Sequence, residues 1–156
     1  MKKLEWDRLV PLGISGRKVR NWLLASLGAG IVWSMQFVEN YLSAYKRLYA
    51  YGPNGSVVWL SGVQMKPFGE LLDGSFALMD VFAMAMIPLA VGLYLYHTVN
   101  GHSIYTMKRL KSPWELWRRV LAMPACGAGV FLLTRLLLEG IFAIIYCRVT
   151  PAAYLP

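Results

Sequence analysis

The chain has 156 residues, 57% hydrophobic and 15% charged, with a net charge of +8. Its mean hydropathy is +0.45, and the apolar residues gather in long blocks instead of recurring at helical or strand period, which excludes an ordinary soluble core and points to membrane spans. Cys126 and Cys147 fall 21 residues apart on one predicted helix, about 31 Å at 1.5 Å per residue, too far for a bridge within the chain, and the scattered Cys and His residues have no metal-ligand spacing.

Residues 1–20 form a basic leader in which Leu4, Trp6, Leu9 and Val10 suit lipid and the Lys and Arg residues suit headgroups, so a helix lying on the inner leaflet is expected. "GISGRKV" lacks the spacing of a phosphate loop. Residues 21–45 are the first expected span. They are too long for the apolar region of a signal peptide, and "ENYLSAYKR" is a poor cleavage site, so an uncleaved anchor is expected. Residues 46–74 form an outer loop. "YGPNGS" carries turn chemistry, "SVVWLSGV" suits a short extended piece, and "KPFGELLDGS" reads as one or two helical turns opened by Pro67 and closed by Gly74.

Residues 75–97 are the second span, with Pro88 in its central third as an expected kink. Residues 98–119 form a cytoplasmic connection, 120–147 the third span and 148–156 an outer tail. A helix needs roughly 20 residues to cross about 30 Å of hydrocarbon, and all three blocks are long enough. Ser26 with Gly30 and Ala125 with Gly129 are small pairs at four-residue spacing, which let helices approach closely.

The distribution of basic residues excludes a nucleic-acid surface and sets a topology. Lys2, Lys3, Arg8, Arg17, Lys18 and Arg20 precede the first block. Lys108, Arg109, Lys111, Arg118 and Arg119 lie between the second and third. The outer loop holds only Lys46, Arg47 and Lys66, and the tail Arg148. The positive-inside rule then places the N-terminus in the cytoplasm and the C-terminus outside.

The connection "SIYTMKRLKSPWELWRR", residues 103–119, has a pattern of its own. Ile104, Met107 and Leu110 recur at three-residue spacing as an apolar stripe, with Lys108 and Arg109 facing elsewhere. Ser112 and Glu115 fit a capping box with Pro113 at the first helical position. A helix should therefore start at Pro113 and run into the third span, with Trp114 and Trp117 at headgroup level and a bend at Pro124. Inside the expected spans, Asp80, Arg135 and Glu139 are charged. Each costs about 2.5 to 3.5 kcal/mol at a helix centre if unpaired. Arg135 and Glu139 are one turn apart and suited to pair, and Asp80 falls at a similar outer depth to Glu139. The three suit either a structural ion cluster or a polar path.

The residues "SIYTMKRLKSPWELWRR" resemble the cytoplasmic segment between the second and third spans of ATP-binding-cassette (ABC) permeases of the second type. Together with "FGELLDGS" and "YLYH" they resemble a group of small bacterial membrane proteins of clostridial-type Firmicutes associated with such transporters. The resemblance covers about residues 67–124. The blocks give an all-α integral membrane protein of three transmembrane helices with an interfacial N-terminal helix and a cytoplasmic helix-turn-helix coupling segment, and the resemblance implies a half-size permease, a partner of another permease subunit or a degenerate relative, in the bacterial cytoplasmic membrane. It also implies that Ile104, Met107, Lys108, Arg109, Leu110, Glu115, Arg118 and Arg119 dock on a separate ABC-type ATPase, and that the chain works as a homo- or hetero-oligomer, probing lipid but no nucleic acid. A complete permease of this type has six spans, so a non-transporting scaffold or regulatory subunit is the alternative. No nucleophile–base or metal constellation appears, so neither an enzyme nor a cofactor is expected.

Overall fold

A computed structural model gives the fold and describes residues 15–60, 62–99 and 113–155. The chain is mostly helical. Helix α1 runs Gly16–Ser34, α2 Gln36–Tyr45, α3 Phe68–Leu72, α4 Ala77–Val99 and α5 Pro113–Val149. A short hairpin of β1 (Tyr49–Tyr51) and β2 (Val57–Trp59) pairs antiparallel, with Tyr49 opposite Trp59 and Tyr51 opposite Val57. Its connection closes through the Gly52 amide on the Ser56 carbonyl (2.9 Å), and Gly55 takes the positive φ of +72° that the turn needs.

Among the described residues two helices are long and apolar enough to cross a membrane, within Ala77–Leu95 and Val120–Val149. The expectation of three spans is therefore overturned, and the first is the one that fails. Residues 21–45 are not one helix but two. The Ser34 hydroxyl, wholly buried, donates to the Ile31 carbonyl at 2.7 Å. That carbonyl is the one a continuing α-helix would offer to Met35, whose amide bonds Val32 instead at 3.1 Å. On the other side Arg17, Lys18 and Arg20 occupy the start of α1. The apolar part, Asn21 to Ser34, then reaches only about 21 Å at 1.5 Å per residue, short of a hydrocarbon core of about 30 Å.

The two remaining blocks form helices of membrane length. Pro88 and Pro124 lie inside α4 and α5 without ending them, and α5 begins at Pro113. At 37 residues α5 is about 55 Å long. Only 17% and 11% of the apolar windows of α4 and α5 are buried. The core helix of a soluble protein would be mostly buried, whereas these present Val81, Met84, Ile87, Val91, Leu133, Leu136, Leu137 and Ile144 at the surface.

The described residues fall into two compact units. The first holds α1 up to Ala29, α4 from Met79 and α5 up to Leu133. Its contacts are close and few: Phe82 stacks on Phe131 (5.5 Å between ring centroids), and a side chain at Gly127 would meet Met86 Sδ at 3.1 Å and Leu23 Cδ2 at 3.5 Å. The close approach thus falls at Gly127, while Ala125 and Gly129, the expected pair, are exposed. Ser26 is buried, but its hydroxyl bonds its own helix, at the carbonyls of Trp22 and Leu23.

The second unit holds Gly30–Leu78 and Thr134–Pro156. Its core is aromatic. Phe37, almost wholly buried, stacks on Phe142 at 4.4 Å and touches Tyr41 and Phe68. Ring contacts continue through Tyr146, Tyr45, Tyr49 and Trp59 to Tyr154. Polar bonds tie distant segments together: the Tyr146 hydroxyl donates to the Lys66 carbonyl (3.0 Å), the Met65 amide to the Tyr154 carbonyl (2.8 Å), and Tyr41 and Thr150 join through their hydroxyls (3.2 Å). The expected turn at "KPFGELLDGS" is α3, which ends before Gly74 at φ +74°.

Candidate functional site

Three regions carry side chains with chemistry. The docking stripe Ile104, Met107, Lys108, Arg109 and Leu110, together with the Ser112 cap, lies outside the described residues. For Glu115, Arg118 and Arg119 only the helical backbone of α5 is described.

The intramembrane charges are half-buried at all three positions. Arg135 and Glu139 share one face of α5 in the second unit, one turn apart. The Arg135 guanidinium also lies over the Phe76 ring, 5.7 Å from its centroid, a cation–π contact that offsets part of the cost of keeping a cation in an apolar setting. Asp80 sits in the first turn of α4, in the first unit. Asp80 and Arg135 are both engaged with partners. Arg135 and Glu139 thus share a helix face, while an ion pair between them and a cluster joining all three remain expectations.

The third region was not foreseen. A polar cleft of about 360 Å³ opens in the second unit between α2 and α3, lined by Gln36, Asn40, Ser43, Arg47, Lys66 and Asp73, with Glu70 beside them and Ala44 and Leu71 as its apolar floor. The Asn40 side-chain amide donates to the Leu71 carbonyl at 3.2 Å, and Lys66, just before α3, pairs with Glu70 within it at 3.7 Å. One signal was legible: Gln36, Asn40, Ser43 and Arg47 recur at four, three and four residues, which makes a polar stripe on an otherwise apolar block. Reading that block as a lipid-facing span hid the stripe. Beyond the cleft, burial pushes the Tyr49 phenol above its ordinary value of 10.0, with the charges of Tyr51 and Tyr45 adding to the rise, so it remains a hydrogen-bond donor at neutral pH.

The chain is small and largely helical, and its two apolar helices of membrane length, exposed along most of their surface, are consistent with a membrane protein. No protein-family model, no curated protein and no solved structure matches the chain.

Proposed function

We propose that the chain is a permease-like membrane subunit of a bacterial ABC transporter that docks on a separate ATPase through residues 103–119. The observation that carries this reading is the continuity of α5. The helix opens at Pro113, inside the docking segment, and runs without interruption to Val149. A partner that grips the segment would therefore hold the end of a membrane-length helix rather than a loose loop. In this reading residues 98–119 are cytoplasmic and the C-terminus lies outside, as the five basic residues of the connection favour. The cytoplasmic N-terminus depended on a third crossing and is not part of the proposal. Ile104, Met107 and Leu110 enter a groove on the ATPase as an amphipathic stripe does, and the neighbouring Arg and Lys residues steer acidic surface or hold headgroups. ATP hydrolysis belongs to the partner, and the transporter is completed by further copies or by another permease subunit.

A second reading, a non-transporting scaffold or regulatory subunit, is favoured by one observation: two membrane-length helices are far fewer than the six spans of the permeases the segment resembles. Two experiments separate the readings. Tagged chain solubilised in mild detergent should retain an ATPase, and changing Met107 and Leu110 to Ser should release it while membrane insertion survives. Retention by that double variant overturns the docking role. Reconstitution with the ATPase alone then decides between permease and scaffold, since transport in vesicles lacking any other membrane chain requires a permease. Topology is checked by a cysteine placed at Ala153, which an impermeant thiol reagent should label in intact cells.

A further inference from the structure

The cleft between α2 and α3 has a polarity that the docking role does not use. Gln36, Asn40, Ser43 and Arg47 lie along one face of α2 and the turn that follows it. From Gln36 to Arg47 there are eleven steps of 1.5 Å, so this face is about 16 Å long. The wall opposite runs the other way. Gly74 lies beside the Gln36 side chain (3.7 Å from a Cβ built there), the Leu71 carbonyl is held by Asn40, and Lys66 is fixed through its carbonyl by Tyr146, whose ring contacts Tyr41. Asp73 therefore lies next to the Gly74–Gln36 contact at one end of the cleft, and Arg47, about three helical turns further along, lies toward the other.

Lys66 is already paired with Glu70. Arg47 and Asp73 make no ion pair or side-chain hydrogen bond among the described residues, so an exposed cation and an exposed anion stand at opposite ends of one cleft. Between them Gln36, Asn40 and Ser43 offer amide and hydroxyl groups of both donor and acceptor character. We propose that this cleft binds a short oligopeptide with free termini, its carboxylate at Arg47 and its ammonium at Asp73.

Magnitudes select this ligand. A free amino acid or a phosphatidylethanolamine headgroup holds its two charges only a few ångströms apart and reaches one end at a time. An extended peptide advances about 3.3–3.6 Å per residue. Three to five residues then match a face of about 16 Å shortened by the reach of the Arg47 and Asp73 side chains. The volume of about 360 Å³ lies at the small end of ligand pockets, roughly 300–1,000 Å³. Ala44 and Leu71 are the only apolar lining residues, so recognition rests on the termini and the peptide backbone and tolerates many side chains.

This proposal stands apart from docking on an ATPase, and either can fail alone. The test uses the full chain in nanodiscs and isothermal titration with tetraalanine, with N-acetyl-tetraalanine amide and with alanine. Tetraalanine should bind, and the blocked peptide and alanine should each bind at least about tenfold more weakly. Arg47→Asp or Asp73→Arg alone should weaken tetraalanine about tenfold, while the two changes together restore it, because a reversed peptide meets a reversed cleft. Restoration by the double variant also shows that the single variants are folded. Equal binding of the blocked peptide, a match between alanine and tetraalanine, absence of binding at millimolar peptide, or failure of the double variant to recover overturns the proposal. Loss of tetraalanine binding when phosphatidylethanolamine replaces phosphatidylcholine in the nanodisc overturns it too, and makes the cleft a headgroup site.

Discussion

Both units expose large apolar side chains, but the first meets at a glycine, Gly127, whereas the second encloses a cluster of four rings while Trp33, Tyr51 and Trp59 stay exposed. In the first, Trp22, Val81, Met84, Ile87 and Val91 are exposed, and the helices meet at Gly127, Met86 and Leu23. In the second, Phe37, Tyr41, Phe142 and Tyr146 are buried against one another, and hydroxyls and amides cross between segments far apart in sequence. Lipid tails are as apolar as leucine, so helices within them gain nothing from hiding apolar surface and rely on close approach, as at Gly127. Where rings are enclosed, as Phe37 and Phe142 are, stacking adds to burial, and the buried Tyr41 hydroxyl is satisfied by Thr150.

The largest test of this contrast is Phe37→Ala. Removing a ring buried to 1% exposure that stacks on Phe142 should cost about 3–5 kcal/mol. Thermal unfolding in mild detergent, followed by near-ultraviolet circular dichroism, reads the loss. A cost below that of the next variant would show that the second unit is not held by its aromatic core. That variant is Gly127→Leu, which forces the Met86 and Leu23 contacts apart and should cost about 1–3 kcal/mol in the same melt. Gly127→Ala sharpens it: the end of the flexible Met86 chain moves a few tenths of an ångström, and little stability should be lost. The smallest effect belongs to Glu70→Gln. The Lys66–Glu70 pair is more than half exposed on both sides, so its removal should change stability by about 0.2–0.5 kcal/mol, and less still in high salt. A larger, salt-insensitive loss would show that this pair helps to build the cleft wall and does not simply rest on its surface.

Much of the outer loop was legible in local chemistry. Asn54-Gly55 marked the hairpin turn, "SVVWLSGV" contained β2, and Pro67 and Gly74 bracketed α3. The failure at residues 21–45 has an equally local cause, since composition counts apolar residues but not the competition of Ser34 for the Ile31 carbonyl. Sequence placed Arg135 and Glu139 on one face by helical spacing alone. It gave no sign that Phe76 would lie beneath Arg135, because that contact joins segments 59 residues apart.

The sequence by itself determined that residues 75–97 and 120–147 are long and apolar enough to cross a membrane, that a basic connection lies between them, and that a helix begins at Pro113, but it also counted residues 21–45 as a third span, which the structure does not form. These follow from the length, transfer energy and capping chemistry of contiguous residues. Only the tertiary structure decided that ring contacts run from Phe37 to Tyr154, that Gly127 packs against Met86 and Leu23, and that Arg47 and Asp73 line one cleft. Those three depend on which distant segments lie side by side, and hydrophobic burial, being non-directional, does not specify partners until shape and hydrogen bonding choose among them.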